Sequence, residues 1–286
     1  LIIWTIAKTT IGDAMRRKVL QVFLVIAVAL IIMSLSFSQN LSFSGKEGSA
    51  VDLMLVKSFG LGLMAIAGSL MAIVMGVSLI PLEIERKTIY TILSKPVKRY
   101  EFIVGKFLGA TLTLGLNIAL MGIVFLIAVT LKAKGIQMAA ASVSSGLKDT
   151  GIVGVKVFDI NTVLGIIMIF LQFMVLSSVV MMFSTFLTQT VNFFVGTGVY
   201  ILGVMSTVIQ TLANADGSSK AVQWLYKGIH FIIPNFDKFN VTNTLLHPET
   251  TITSLPAYTM QVAGYAIVYT LIMAIVAVIV FEKKEV

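Results

Sequence analysis

Residues 160–215 carry no charged side chain, and this run more than any other feature limits what the chain can become. A helix crosses a hydrocarbon core with about 20 mostly apolar residues, so the run is far too long for one crossing. The polar cluster Thr188-Gln189-Thr190 with Asn192 divides it into two stretches of proper length, about 162–187 and 191–212. Four further apolar stretches of similar length lie at about 19–37, 58–82, 107–131 and 258–281. The expected fold is therefore all-α and integral to the membrane, with six transmembrane helices in a single domain over 1–286.

Composition agrees with that class. Charged residues make up only 12% of the chain and hydrophobic residues 57%, against about a quarter charged in soluble domains. Too little polar surface remains to cover a water-soluble fold of this size. Cysteine is absent and there are two histidines, which removes disulfides, thiol chemistry and cysteine-bound metal. No metal site is expected. The net charge of +8 fits basic loops against anionic headgroups. No basic region interleaves with stacking aromatics, so nucleic acid is not an expected partner. Arg16-Arg17-Lys18 before an apolar run has the look of a signal peptide, but with structured-looking residues ahead of it the segment is expected to be a retained first span.

An even number of spans places both termini on one side. Twelve Lys and Arg fall on the terminal side and nine on the other, where the loops are much longer. Only cations crowded beside span ends weigh heavily in orientation. Arg16-Arg17-Lys18 and the stretch from Arg86 to Lys106 are dense and abut spans. Both termini are thus expected in the cytoplasm of a multi-pass inner or plasma membrane protein.

Three segments outside the spans have character of their own. In 1–18, Ile3, Ala7, Ile11 and Ala14 recur at helical spacing beside Trp4, Lys8, Arg16 and Arg17, as in a helix lying in the membrane interface. The segment 132–159 is rich in Gly, Ser and Lys and reads as irregular. Within the outside segment 213–257, Trp224, Leu225, Ile229 and Ile232 form an apolar face, and Pro234 should end that helix. It is expected to rest on the membrane surface or dip back into it.

The most informative stretch is 83–106, which joins the second and third spans. Ile84, Thr88, Ile92 and Lys95 share one side of a short helix, with Glu83 and Glu85 early and cations late, an order the helix dipole favours. Pro96 breaks it, and Tyr100 to Gly105 leads into the next span. On charge alone this would be an ordinary basic loop.

The pattern also resembles the ABC-2 type transporter permeases. The matching residues are Glu83 and Glu85, Leu93-Ser94-Lys95-Pro96-Val97-Lys98-Arg99, Phe102, Gly105-Lys106 and Gly109. One departure is Arg86-Lys87, where many members carry a Gly-Thr type turn. The resemblance implies a cytoplasmic coupling helix and a dimer of permease subunits, homo- or heteromeric, driven by a separate ABC ATPase. Glu83, Glu85, Arg86, Lys87, Ser94, Pro96, Arg99, Gly105 and Lys106 would form the ATPase-coupling set. ATP and Mg would be bound by that partner, with no cofactor in this chain.

Gly45-Lys46 and Gly105-Lys106 lack the earlier glycine and following hydroxyl of a phosphate-binding loop. No catalytic set can be assembled, so the chain is not expected to be an enzyme. The spans hold no ionisable group away from their ends, which argues against an ion-coupled carrier. Their polar residues, Asn117, Gln172, Gln210, Gln261, Ser177, Ser178 and Ser184, are expected to make hydrogen bonds between helices. Small-residue faces at Gly60, Gly62 and Gly68 and at Gly196, Gly198 and Gly203 suit either a dimer seam or packing within one subunit. The scattered methionines read as apolar filler. Two rival readings stand beside export or flipping of a substrate. One is an assembly permease acting on an extracytoplasmic partner, for example in metal delivery, and the other a passive scaffold or channel.

Overall fold

The computed structural model describes residues 2–40, 48–81, 98–143, 159–213, 228, 233–240 and 254–283. These residues are helical apart from short connections, with no strand among them. In chain order the helices are α1 (Ile2–Met15), α2 (Lys18–Asn40), α3 (Gly48–Ser78), α4 (Arg99–Val143), α5 (Ile160–Ser184), α6 (Gln189–Val204), α7 (Ser206–Ala213) and α8 (Leu255–Glu282). A 3-10 turn, Asp237–Phe239, sits between α7 and α8.

Four stretches, in α3, α4, α5 and α8, are long and apolar enough to cross a membrane. The pairs α1–α2 and α6–α7 bend by 65° and 59°, and counting each pair as one span brings the total to six. The α5–α6 division falls where the polar cluster marks it, with α5 ending at Ser184 and α6 starting at Gln189. Asn192 is fully buried there, and its Nδ2 donates to the Val180 carbonyl at 3.0 Å.

Burial sorts the helices. The apolar stretch of α5 is 67% buried and touches α3, α4, α6 and α8, whereas that of α8 is only 22% buried. A helix that is apolar all round and enclosed belongs in a bundle core; one that is apolar and exposed must face lipid. Four glycines of the small-residue faces pack inside the subunit. Gly60 lies under the Phe125 ring of α4 and Gly68 under the Phe173 ring of α5. Gly196 meets Val180, and Gly203 meets Phe236. Gly62 and Gly198 meet nothing.

Two regions differ from expectation. Residues 132–143 continue α4 rather than forming an irregular loop. Only Gly135 interrupts helix-favouring residues such as Lys132, Lys134, Gln137 and Met138, and one glycine costs a helix about 1 kcal/mol. Residues 233–240 fold back against α6 and α8, with Phe236 and Phe239 buried to 0% and 1% exposure. Phe236 N–H donates to the Gly203 carbonyl at 3.0 Å, and Tyr258 Oη donates to the Lys238 carbonyl at 2.8 Å. The stretches 82–97, 214–227 and 229–232 lie outside the described residues, and with them Trp224, Leu225, Ile229 and Ile232.

At the end of the bundle where α3 and α5 begin, Lys57 Nζ and Asp159 Oδ2 form an ion pair at 2.9 Å. Asp159 Oδ1 accepts from the Asn161 N–H at 3.0 Å and so caps α5. One carboxylate therefore ends a helix and ties it to its neighbour. Asp159→Ala is expected to destabilise the subunit by about 1–3 kcal/mol, from the lost cap and the lost charge-assisted bond. Denaturant unfolding in micelles would measure it, with Lys57→Met retaining the cap and losing less.

Candidate functional site

The opposite end of the bundle gathers α1, the start of α2, the end of α3, the start of α4 and the end of α8. Arg99 and the residues after it open α4. The Lys98 backbone N–H donates to Glu101 Oε2 at 3.0 Å, while the Lys98 carbonyl accepts from Glu101 N–H at 3.0 Å. This is the carboxylate half of a capping box, completed by a backbone turn rather than by a cap side chain.

Arg99 Nη1 donates to the Glu282 carbonyl at 3.1 Å. A guanidinium at the last carbonyls of a helix satisfies an orphan acceptor and complements the negative end of its dipole. Phe102, 2% exposed, stacks on Phe281 of α8 with centroids 6.0 Å apart. Lys106 is 6% exposed, with its ammonium 5.8 Å from the Phe102 ring centre. Lys106 therefore belongs to the inside of this joint, its charge facing an aromatic ring.

On another face of α4, Gly105 and Gly109 seat α1. A Cβ at Gly105 would come within 2.8 Å of Ile6 Cβ and 3.0 Å of the Ile3 carbonyl oxygen. At Gly109 it would meet Thr10 Cβ at 2.6 Å and the Ala7 carbonyl oxygen at 2.8 Å. Two glycines four residues apart share one helix face and let another backbone approach closely. Ala7, Thr10 and Ala14 are the buried residues of α1, and Trp4 is 64% exposed. At the α1–α2 elbow, Arg17 donates to Ser78 Oγ at the end of α3.

The expected coupling set thus divides. Arg99, Gly105 and Lys106 lie in this joint, while Glu83, Glu85, Arg86, Lys87, Ser94 and Pro96 lie outside the described residues. Segment 82–97 links the two helices, α3 and α4, that the joint ties to α1, α2 and α8. Sequence reasoning overlooked Arg17, Ser78 and Phe281. Arg17 reads in the sequence as a topogenic and interfacial cation, and nothing local in the sequence pairs it with Ser78.

The intramembrane polar residues behave differently from expectation. Asn117 Nδ2 donates to the Thr113 carbonyl, and Ser177, Ser178 and Ser184 donate to carbonyls three residues back in α5. Short polar side chains in a helix reach their own preceding turn first, so these bonds stay within one helix. Gln210 and Gln261 are exposed. Gln172 is 6% exposed and makes no hydrogen bond among the described residues. Among the described residues no group of His, Asp or Glu is arranged to hold a metal ion.

No curated relative matches the chain. A family model described as ABC-2 family transporter protein matches residues 4–286, taking in every helix of the bundle. With its apolar spans and the α3–α4 joint in view, the chain belongs to the ABC-2 family of transporter membrane proteins.

Proposed function

We propose that this chain is the membrane subunit of an ATP-driven ABC-2 transporter, pairing with a second permease subunit and coupling to a separate ATPase to export or flip a substrate. Family membership supports the general reading. The observation that carries the mechanism is the α1–α4 seat at Gly105 and Gly109, together with the Arg99–Glu282 and Arg17–Ser78 ties. Closure of the ATPase pair pushes on segment 83–97. Because α4 is bound to α1 and α8 at that point, and α3 to the α1–α2 elbow, the push moves five helices rather than bending a loop.

In this reading both termini and segment 83–106 face the cytoplasm. Helix α1 lies in the inner interface, where Trp4 and the cations of Arg16 and Lys18 suit the headgroup region. Glu83, Glu85, Arg86 and Lys87 meet the ATPase, and Arg99, Gly105 and Lys106 pass the movement inward. ATP and Mg belong to the partner, and no catalytic role falls to this chain.

A second reading, action on an extracytoplasmic partner, draws on α4. Its residues 132–143 extend the helix by about 18 Å beyond the expected span, at 1.5 Å per residue. Such a rod would carry movement to a protein outside the membrane.

Charge reversal tests the coupling reading. The variant Glu83→Lys with Glu85→Lys is expected to insert normally yet to retain less than about a tenth of the ATPase on co-purification, since two lost charge-assisted contacts exceed 1.4 kcal/mol. Unchanged co-purification together with unchanged ATP hydrolysis would show the segment to be only a tether.

A further inference from the structure

A pocket of about 160 Å³ lies under the folded-back segment 233–240, between α3, α5 and α6. Its walls are mainly apolar, from Leu61, Ile169, Val204, Phe236 and Phe239. A cavity of similar size with apolar walls holds benzene, so the volume suits one six-membered ring with a short substituent. Gly62 also lines it, and a Cβ there would meet nothing within 4 Å.

Two polar groups in this wall are open to a ligand. Gln172 lines the pocket at 6% exposure and makes no hydrogen bond among the described residues, so its carboxamide can pair with a ligand. Asp237 accepts from Thr207 Oγ1 on Oδ2, while its Oδ1 takes no hydrogen bond among the described residues. Asp237 is half-buried and marks the mouth, whereas Gln172 lies deeper. No cationic side chain is among the lining residues.

A carboxylate at the mouth, aromatic and aliphatic walls, and a neutral polar group at depth define a ligand by complementarity. We propose that this pocket binds a small aromatic or alicyclic amine, with its ammonium on Asp237, its ring against Phe236 and Phe239, and a neutral polar substituent at Gln172. The ammonium supplies the missing donor to Oδ1, and the hydroxyl or amide of the ligand satisfies the carboxamide of Gln172. The site lies within one subunit and at the far end of the bundle from the coupling segment. It stands on the pocket alone, whatever the outcome of the charge-reversal test.

The chain has no cysteine, so Gly62→Cys places a single thiol in the pocket wall. In nanodiscs, tyramine is expected to protect this thiol from N-ethylmaleimide. The neutral analogue 4-ethylphenol, with the same ring and hydroxyl, should need about tenfold higher concentration, the usual worth of one charge-assisted hydrogen bond. Asp237→Asn keeps an acceptor for Thr207 and should abolish the difference between the probes, while Gln172→Leu should weaken both alike. Saturation-transfer NMR of tyramine with the unsubstituted chain gives a readout independent of the cysteine variant, and transfer to the ring protons is expected. Equal protection by the two probes, or absence of transfer to tyramine, would overturn the proposal.

Discussion

Gly109→Leu is expected to separate α1 from α4 and to abolish the ATP-driven activity proposed for the assembled transporter. The added side chain would occupy the space of Thr10 Cβ and of the Ala7 carbonyl oxygen, 2.6 and 2.8 Å from the new Cβ. Neither neighbour can rotate away, because a Cβ is fixed to its backbone and a carbonyl is part of it. Overpacking at such a place costs about 1–3 kcal/mol or more, and here the simplest relief is displacement of the whole α1 helix. Unfolding in micelles should register the lost stability, and a cysteine at Thr10 should become far more reactive toward maleimide. Gly62→Ala is the matched control. With open space around its Cβ, it should be neutral or stabilising by up to about 1 kcal/mol through helix propensity. If Gly109→Leu unfolds like the parent chain, the seat of α1 on α4 is not as close as described.

The second large effect is expected at the other end of the bundle. Gly203→Leu would run into the Phe236 ring and lie 2.7 Å from the Pro234 carbonyl oxygen. It would also strain the bond from Phe236 N–H to the Gly203 carbonyl. Expelling 234–240 uncovers Phe236 and Phe239, each worth about 1.5–3 kcal/mol when buried. A cysteine at Asn235 should then label much faster, and protection of the Gly62→Cys thiol by tyramine should vanish with the pocket roof. Unchanged labelling at Asn235 would mean that the segment is held by contacts other than Gly203.

Much of this architecture was legible in the sequence because membrane helices are written in long apolar runs. The division at Thr188-Gln189-Thr190 could be read because the polar cluster interrupts 160–215. By contrast, the break between Val204 and Ser206 could not, since no proline or charge marks it. It coincides with the return of 233–240 onto Gly203, a contact between residues about thirty apart in sequence. Phe236 and Phe239 were hidden for a related reason. They follow Pro234 in a polar stretch that resembles any loop, and only their three-residue spacing hints at one buried face.

The joint at the basic end was half legible. Arg99, Gly105 and Lys106 belonged to a recognisable pattern, but the pattern says nothing about what each touches. Lys106 in a sequence is a cation presumed to meet solvent or a partner; the fold buries it against Phe102. The polar residues of the spans misled in the opposite direction. Sequence alone suggests that Ser177, Ser178 and Asn117 seek other helices, whereas a carbonyl one turn back is already within reach. Gln172, with a longer side chain and no such bond, is the exception that lines a pocket.

The proposed contact of segment 83–106 with an ATPase can be read out by site-specific cross-linking. Single cysteines at Lys95 and at Ser145, each bearing a photoreactive maleimide, would be compared in membranes that hold the assembled complex. The expected result is a cross-link from position 95 to a polypeptide identified by mass spectrometry as an ABC ATPase, increased or lost on ATP binding, with none from position 145. A cross-link to the ATPase from position 145, or from neither position in a complex that hydrolyses ATP, would contradict it.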